Sequence, residues 1–171
     1  MIKKIIFLFV TLFSIGKISR IPGSIASLVT IFFLFFLFHI LKIPANFILL
    51  FVIIIFFISL YAVNVFIKNL DNKDPKEVVI DEFIGQSIPI CLYEIAHEGT
   101  KETSQILTSY FIMFILFRIF DIVKPYPVSY YDKNFKNSFG VIMDDVCAGL
   151  YVVAVLVLYM VITSWKNFLK K

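Results

Sequence analysis

Five carboxylates in a strongly apolar chain pose the chemical question: Asp81 and Glu82, Asp121, and Asp144 and Asp145. Each stands at the border of an apolar run, and threading those runs alternately through a bilayer puts all five at one face. Acidic residues at helix N-termini cap free N–H groups and favour the helix dipole, worth about 0.3–1 kcal/mol each, which accounts for one member of each pair. That reading does not extend to Asp121, which comes near a helix C-terminus, where the dipole disfavours a negative charge. Arg118 precedes Asp121 by three residues on the same helical face, and Lys124 follows by three, just before Pro125 stops the helix. Arg118 and Asp121 read either as a structural ion pair or as part of a polar cavity, since a charge inside a membrane helix costs roughly 2.5–3.5 kcal/mol and normally faces one.

Small residues sit one helical turn from the acids: Gly85 four after Asp81, Ala148 four after Asp144, and Gly149 four after Asp145. At that spacing each shares its carboxylate's face, so the helices can approach closely and bring the acids together. The same pattern also occurs in ordinary small-residue packing. Four or five carboxylates in one place repel one another unless a cation joins them, and an all-oxygen ligand set suits Mg²⁺ or Mn²⁺. A hard divalent metal is therefore the expected counter-charge.

The elements that must position these groups are helices in a membrane. The chain has 171 residues, 60% of them hydrophobic and 18% aromatic, and its mean hydropathy is +0.94, well outside the range of soluble domains. Apolar runs at about Ile25–Leu41, Ala45–Ile67, Phe83–Ala96, Ile106–Val123 and Val146–Trp165 predict an all-α, polytopic membrane bundle of about five transmembrane helices in one domain, residues 1–171. The third run is the weakest, being short and carrying Gln86, Ser87 and Pro89. Pro44 marks a tight turn, "KNLDNKDPKE" and "YEIAHEGTKETSQ" read as polar loops, and "KPYPVSYYDKNFKNSFG" reads as a longer one. The N-terminal Lys3-Lys4 followed by "IIFLFVTLF" and "SIG" has the order of a secretory signal peptide. It equally fits a short interfacial or re-entrant helix that is retained, because Ile5–Phe13 is too short to span.

The net charge of +4 does not point to nucleic acid, because the basic residues are scattered in short loops. Eleven of the 16 lie on the side that also receives the carboxylates, among them Lys17, Arg20, Lys68, Lys73, Lys76 and Lys124. Lys42, Lys101, Lys166, Lys170 and Lys171 lie opposite. The positive-inside rule then turns the acidic face towards the cytoplasm. Cys91 and Cys147 lack CxxC spacing and read as buried small apolar residues. His39 and His97 fall on the other side and are not expected to bind the metal. The segment "RIPGSIASL", with Gly23 and Ser24, reads equally as a turn opening a helix or as backbone N–H groups and a hydroxyl facing an anion.

Four segments, "PGSIASL" (22–28), "VVIDEFIGQ" (78–86), "FRIFDIVKPYPVSYYDKN" (117–134) and "GVIMDDVCAG" (140–149), together resemble the phosphatidylglycerophosphatase A family across nearly the whole chain. The resemblance implies a Mg²⁺-dependent phosphatase of the cytoplasmic (inner) membrane that removes the terminal phosphate of phosphatidylglycerophosphate. It carries the family's acidic positions onto Asp81, Glu82, Asp121, Asp144 and Asp145 and its basic ones onto Arg118 and Lys124. Asp132 also matches, and Ala26 stands where the family usually has glycine, which removes a glycine's backbone freedom from that segment. The resemblance also favours a retained N-terminal segment.

The resulting expectation is a site in which the five carboxylates hold one or two Mg²⁺ ions, with Asp121, Asp144, Asp145, Arg118 and Lys124 catalytic. Arg118 and Lys124, with Gly23 and Ser24, would bind the substrate phosphate. The bilayer and its phospholipid are then the partners, and the active site faces the cytoplasm. A small transporter or proton relay would also use intramembrane carboxylates but should continue its polar residues to the second face. A non-enzymatic scaffold would leave the series Arg118, Asp121 and Lys124 without purpose.

Overall fold

A computed structural model describes residues 2–18, 20–68, 70, 75–97 and 102–168, the side chains of 166–168 excepted. The side chains of Lys73, Lys101, Lys166, Lys170 and Lys171, used above to orient the chain, lie outside the described residues, as do residues 71–74 and 98–101 of the two polar loops. The described chain is helical, with no strand: α1 (Ile2–Val10), α2 (Ile15–Ile18), α3 (Pro22–Phe35, running on as a wider turn over Phe36–Ile40), α4 (Ala45–Ile67), α5 (Ile80–His97), α6 (Thr103–Val123), α7 (Val128–Asn134) and α8 (Ser138–Phe168).

Among the described residues four helices are long and apolar enough to cross a membrane: Pro22–Ile40, Ala45–Ile67, Thr103–Val123 and Ser138–Trp165. They carry large side chains on outward faces, such as Phe32, Phe47, Phe57, Phe111 and Tyr159, as helices solvated by lipid must. The third expected span forms as α5, but Asp81, Glu82, Gln86 and Glu94 leave it too polar to count among these four. It is instead the enclosed helix: eleven of its 18 residues are buried, and α3, α4, α6 and α8 all pack against it. Polar groups cost least where neighbouring helices shield them from lipid, so the most polar long helix takes the centre.

Prolines set several boundaries. Pro22 occupies the first turn of α3, where a missing N–H is harmless, and Pro44 lies in extended backbone just before α4. At the end of α6, Pro125 disfavours helical geometry for the residue before it, and Lys124 turns into the left-handed region with φ 47°. The N-terminal segment forms a helix of nine residues, α1. It packs on α4 through Phe7 and Phe66, whose ring centroids are 6.1 Å apart, and Val79 N–H donates to the Val10 carbonyl at 3.0 Å.

Three expectations change. The fifth helix opens at Ser138, not near Val146, and the Asn137 side chain accepts the Gly140 N–H at 3.0 Å in the manner of a cap. Asp144 and Asp145 therefore lie in its second turn and cap nothing. The long loop after α6 contains α7, whose Tyr130 and Tyr131 join Phe135 and Phe139 in an aromatic cluster. Ala26, where a glycine's freedom was expected to matter, lies within α3, fully buried, and its carbonyl accepts the Thr30 hydroxyl at 2.8 Å.

Candidate active site

One cleft of about 330 Å³ gathers the N-terminus of α3, the first turn of α5, the end of α6 and the second turn of α8. Asp81, Glu82, Asp121, Asp144, Asp145, Arg118, Lys124, Gly23 and Ser24 all line it, so every site residue read from the sequence meets in one place. Asp132 does not line the cleft; it stands behind Lys124. His39 belongs to a separate cavity and approaches Glu94, at 3.4 Å.

The helices come together through glycine. A Cβ on Gly149 would collide with the carbonyl oxygen of Gly85, and one on Gly85 would lie 2.6 Å from the carbonyl oxygen of Asp145. Backbone against backbone is the closest approach two helices can make, and it places the first turn of α5 beside the acidic pair of α8. Gly23 also makes room in the cleft: a side chain there would strike the Glu82 carboxylate and reach within 3.3 Å of Arg118 Nη1. Its absence lets Glu82 lie against α3.

The acidic pairs are built alike. Asp81 accepts the Glu82 N–H at 3.1 Å and Asp144 accepts the Asp145 N–H at 3.0 Å. Asp81, Glu82 and Asp145 each present an oxygen within 4.8 Å of the others'. Asp81 and Asp145 are nearly inaccessible to solvent, at 7% and 3%. Three crowded carboxylates with a buried Glu82 Oε2 lacking a hydrogen-bond partner among the described residues fit a hard cation. Asp121 and Asp144 stand beside this trio and are taken up by cations of the chain itself.

Arg118 Nη1 lies 3.0 Å from Asp121 Oδ2, but off hydrogen-bond geometry, so Nη1 and Nε are buried donors without an acceptor among the described residues. The pair is an ion pair, as its spacing suggested, with donor capacity left over for a ligand. Lys124 Nζ donates to Asp132 at 2.6 Å and to Asp144 at 2.9 Å. Burial alone would lower its pKa, yet the hydrogen bonds and charges of Asp132 and Asp144 outweigh burial and raise it, so the ammonium keeps its charge. The left-handed turn at Lys124 swings the chain into α7 and brings Asp132 to this ammonium. Lys124→Met should strand both aspartates beside the trio. We expect a loss of stability on the order of 1–3 kcal/mol and phosphate release reduced roughly tenfold or more. Melting in detergent and a phosphate assay read both, and wild-type values in each would remove Lys124 from the site.

Arg20 and Lys76, which in the sequence stand out only as charges that orient the chain, both line the cleft. Nothing in their local spacing announces this, because their segments, residues 20–21 and 75–79, meet only in the folded chain.

The sequence profile described as Phosphatidylglycerophosphatase A matches residues 8–160. A Phosphatidylglycerophosphatase A of Haemophilus influenzae is 31% identical over 143 residues, covering 84% of this chain and 81% of that protein. One of Escherichia coli is 29% identical over 63% of this chain and 56% of its own length. A Bacteroides thetaiotaomicron protein, provisionally described as a phosphatidylinositol-3-phosphatase, is 37% identical over 58% of this chain and 57% of its own. No solved structure matches. With the match running from α1 into α8 and enclosing every residue of the acidic cleft, the chain belongs to the phosphatidylglycerophosphatase A family of lipid phosphatases.

Proposed function

We propose that the chain hydrolyses the terminal phosphomonoester of phosphatidylglycerophosphate to phosphatidylglycerol and inorganic phosphate, using Mg²⁺ held by Asp81, Glu82 and Asp145. The observation that carries this reading is the crowding of those three carboxylates beside Arg118 and Lys124 in one cleft. Family membership favours it over the transporter and scaffold readings. The acidic ends of α5 and α8, the basic end of α6 and the start of α3 lie at one end of the bundle, where a lipid phosphate at the membrane surface would enter. The excess of basic residues at that end favours the cytoplasmic face of the inner membrane.

Within this proposal each side chain has a defined task. Asp81, Glu82 and Asp145 supply anionic oxygens to the metal, and Asp144 and Asp121 add charge at its edge. A bound Mg²⁺ supplies Lewis-acid polarisation of the phosphate and a more acidic water. Arg118, with N–H donors left without an acceptor among the described residues, takes the non-bridging phosphoryl oxygens as charge spreads over them. Lys124 holds Asp144 in place and keeps a positive charge beside the phosphate. A carboxylate at the edge of the trio takes the proton of the attacking water, and the candidates within the cleft are Asp121 and Asp144. Burial of Asp81 and Asp145 excludes bulk water, which strengthens each of these interactions.

The test is phosphate release by the detergent-purified chain from phosphatidylglycerophosphate in Mg²⁺ and in EDTA. Turnover in Mg²⁺ and its loss in EDTA, restored by excess Mg²⁺, is the expected result. Equal turnover in EDTA would remove the metal, and none in any divalent ion would remove the phosphatase.

A further inference from the structure

The catalytic cleft continues outward. A second cavity, of about 530 Å³, is lined by Gly16, Lys17, Arg20, Pro22, Lys76 and Glu77. Arg20, Pro22 and Lys76 line both cavities, so the two basic side chains stand at the boundary between the carboxylates and the mouth. A ligand with its reacting end on the carboxylates would pass between them.

Their surroundings differ from those of the other cations nearby. Arg118 is paired with Asp121, Lys124 with Asp132 and Asp144, and Lys17 with Glu77 at 3.8 Å. Arg20 and Lys76 have no acidic partner among the described residues. Topology rules explain two cytoplasmic cations, but not why these two converge on the entrance of an acidic cleft. Their convergence has a structural cause. The segment before α5 is held to the N-terminal helices by the Val79 to Val10 hydrogen bond of 3.0 Å and by the Lys17–Glu77 pair. That docking sets Lys76 across from Arg20, which sits between α2 and α3.

We propose that Arg20 and Lys76 form a second anion subsite that takes the phosphodiester of a lipid carrying both a diester and a terminal monoester phosphate. The subsite thereby selects such a lipid over one with a monoester alone. This rests on the phosphatase reading above. The physical basis is that a phosphatidylglycerophosphate-type substrate has two anionic centres joined by a short glycerol link. Phosphatidic acid offers one. When the monoester occupies the carboxylate end, the diester must lie nearer the mouth, where Arg20 and Lys76 stand without an acidic partner among the described residues. Phosphatidic acid would bring only its diacylglycerol ester groups to the same place.

The measurement is steady-state phosphate release with Mg²⁺ from each of the two lipids in mixed micelles, for the full chain and for Arg20→Gln, Lys76→Gln and the double variant. Both side chains are exposed, so their truncation to neutral amides leaves the buried framework intact. In the double variant KM for phosphatidylglycerophosphate should rise about tenfold with a much smaller effect on kcat, and the kcat/KM ratio between the two lipids should fall about tenfold. Arg20→Lys should recover part of the ratio. An equal loss on both lipids would mean general attraction of anionic substrates and would overturn the subsite, as would an unaltered ratio. Absence of phosphate release from either lipid by the unsubstituted chain would instead overturn the phosphatase reading, and the subsite with it.

Discussion

Asp145→Asn should lower Mg²⁺-dependent phosphate release by roughly 10²–10³-fold, the several kcal/mol that a metal supplies to a phosphoryl transition state. Among the five acids this is the substitution with the sharpest expected outcome. Asp145 belongs to the trio of oxygens within 4.8 Å, is 3% exposed, and has no cation of the chain paired with it among the described ion pairs. Its carboxylate neighbours in the cleft are Asp81, Glu82, Asp121 and Asp144, all acids. Asparagine keeps the shape and removes one carboxylate from that crowd. The metal-free variant should therefore melt higher than the unsubstituted chain in EDTA, while the rise in melting temperature produced by Mg²⁺ should disappear. Misfolding would lower the melting temperature under both conditions, so the two explanations separate. Full turnover with an intact Mg²⁺-induced shift would remove Asp145 from the metal site.

Gly149→Val is expected to do comparable damage without touching a charged group. Its Cβ would meet the Gly85 carbonyl, an atom that moves only if α5 or α8 moves. Overpacking of this kind costs about 1–3 kcal/mol. The functional loss should exceed what that figure suggests, because separating the helices by about an ångström pulls Asp81 and Glu82 away from Asp145, and displacements of that size cost about 10²-fold in rate. Titration with Mg²⁺, read by melting temperature and by turnover, should show weakened affinity together with lowered kcat. Unaltered Mg²⁺ affinity in a folded Gly149→Val protein would show that the glycine contact does not set the spacing of the acids.

Much of this site is visible along the chain because helical periodicity is a local property. Arg118 and Asp121 are three residues apart and pair across one turn; Gly85 and Gly149 lie four residues after an acid and meet in space. The adjacency of four helix ends also follows once apolar runs are threaded alternately through a bilayer. The start of α8 was hidden because an apolar run marks where lipid begins, whereas the helix begins at Asn137's cap, within polar sequence. The left-handed turn at Lys124 is compatible with the following proline but not dictated by it, so the reach of Lys124 back to Asp144 and Asp132 could not be read from spacing. Arg20 and Lys76 escape a reading of spacing for a more general reason: segments distant in sequence meet there, through the Val79–Val10 hydrogen bond, the Lys17–Glu77 pair and the close approach of Gly16 to the Glu77 backbone, and none of these has a pattern. The apolarity that identifies membrane helices also misdirects at α5, whose polar residues make it look marginal when it is the most enclosed long helix of the bundle.

The contact between Gly85 and Gly149 bears on ion choice as well. Side chains that crowd a metal can rotate to accept a larger ion, but peptide groups pressed together cannot yield in the same way. In the proposed site the gap between the two acidic pairs is thus gauged by the main chain, like the fixed jaws of a calliper. Mg²⁺ asks for oxygens at about 2.0–2.1 Å and Ca²⁺ for about 2.3–2.6 Å with more of them. A rigid gap favours the smaller ion, and retuning it for a larger one would require a new helix crossing rather than a new ligand.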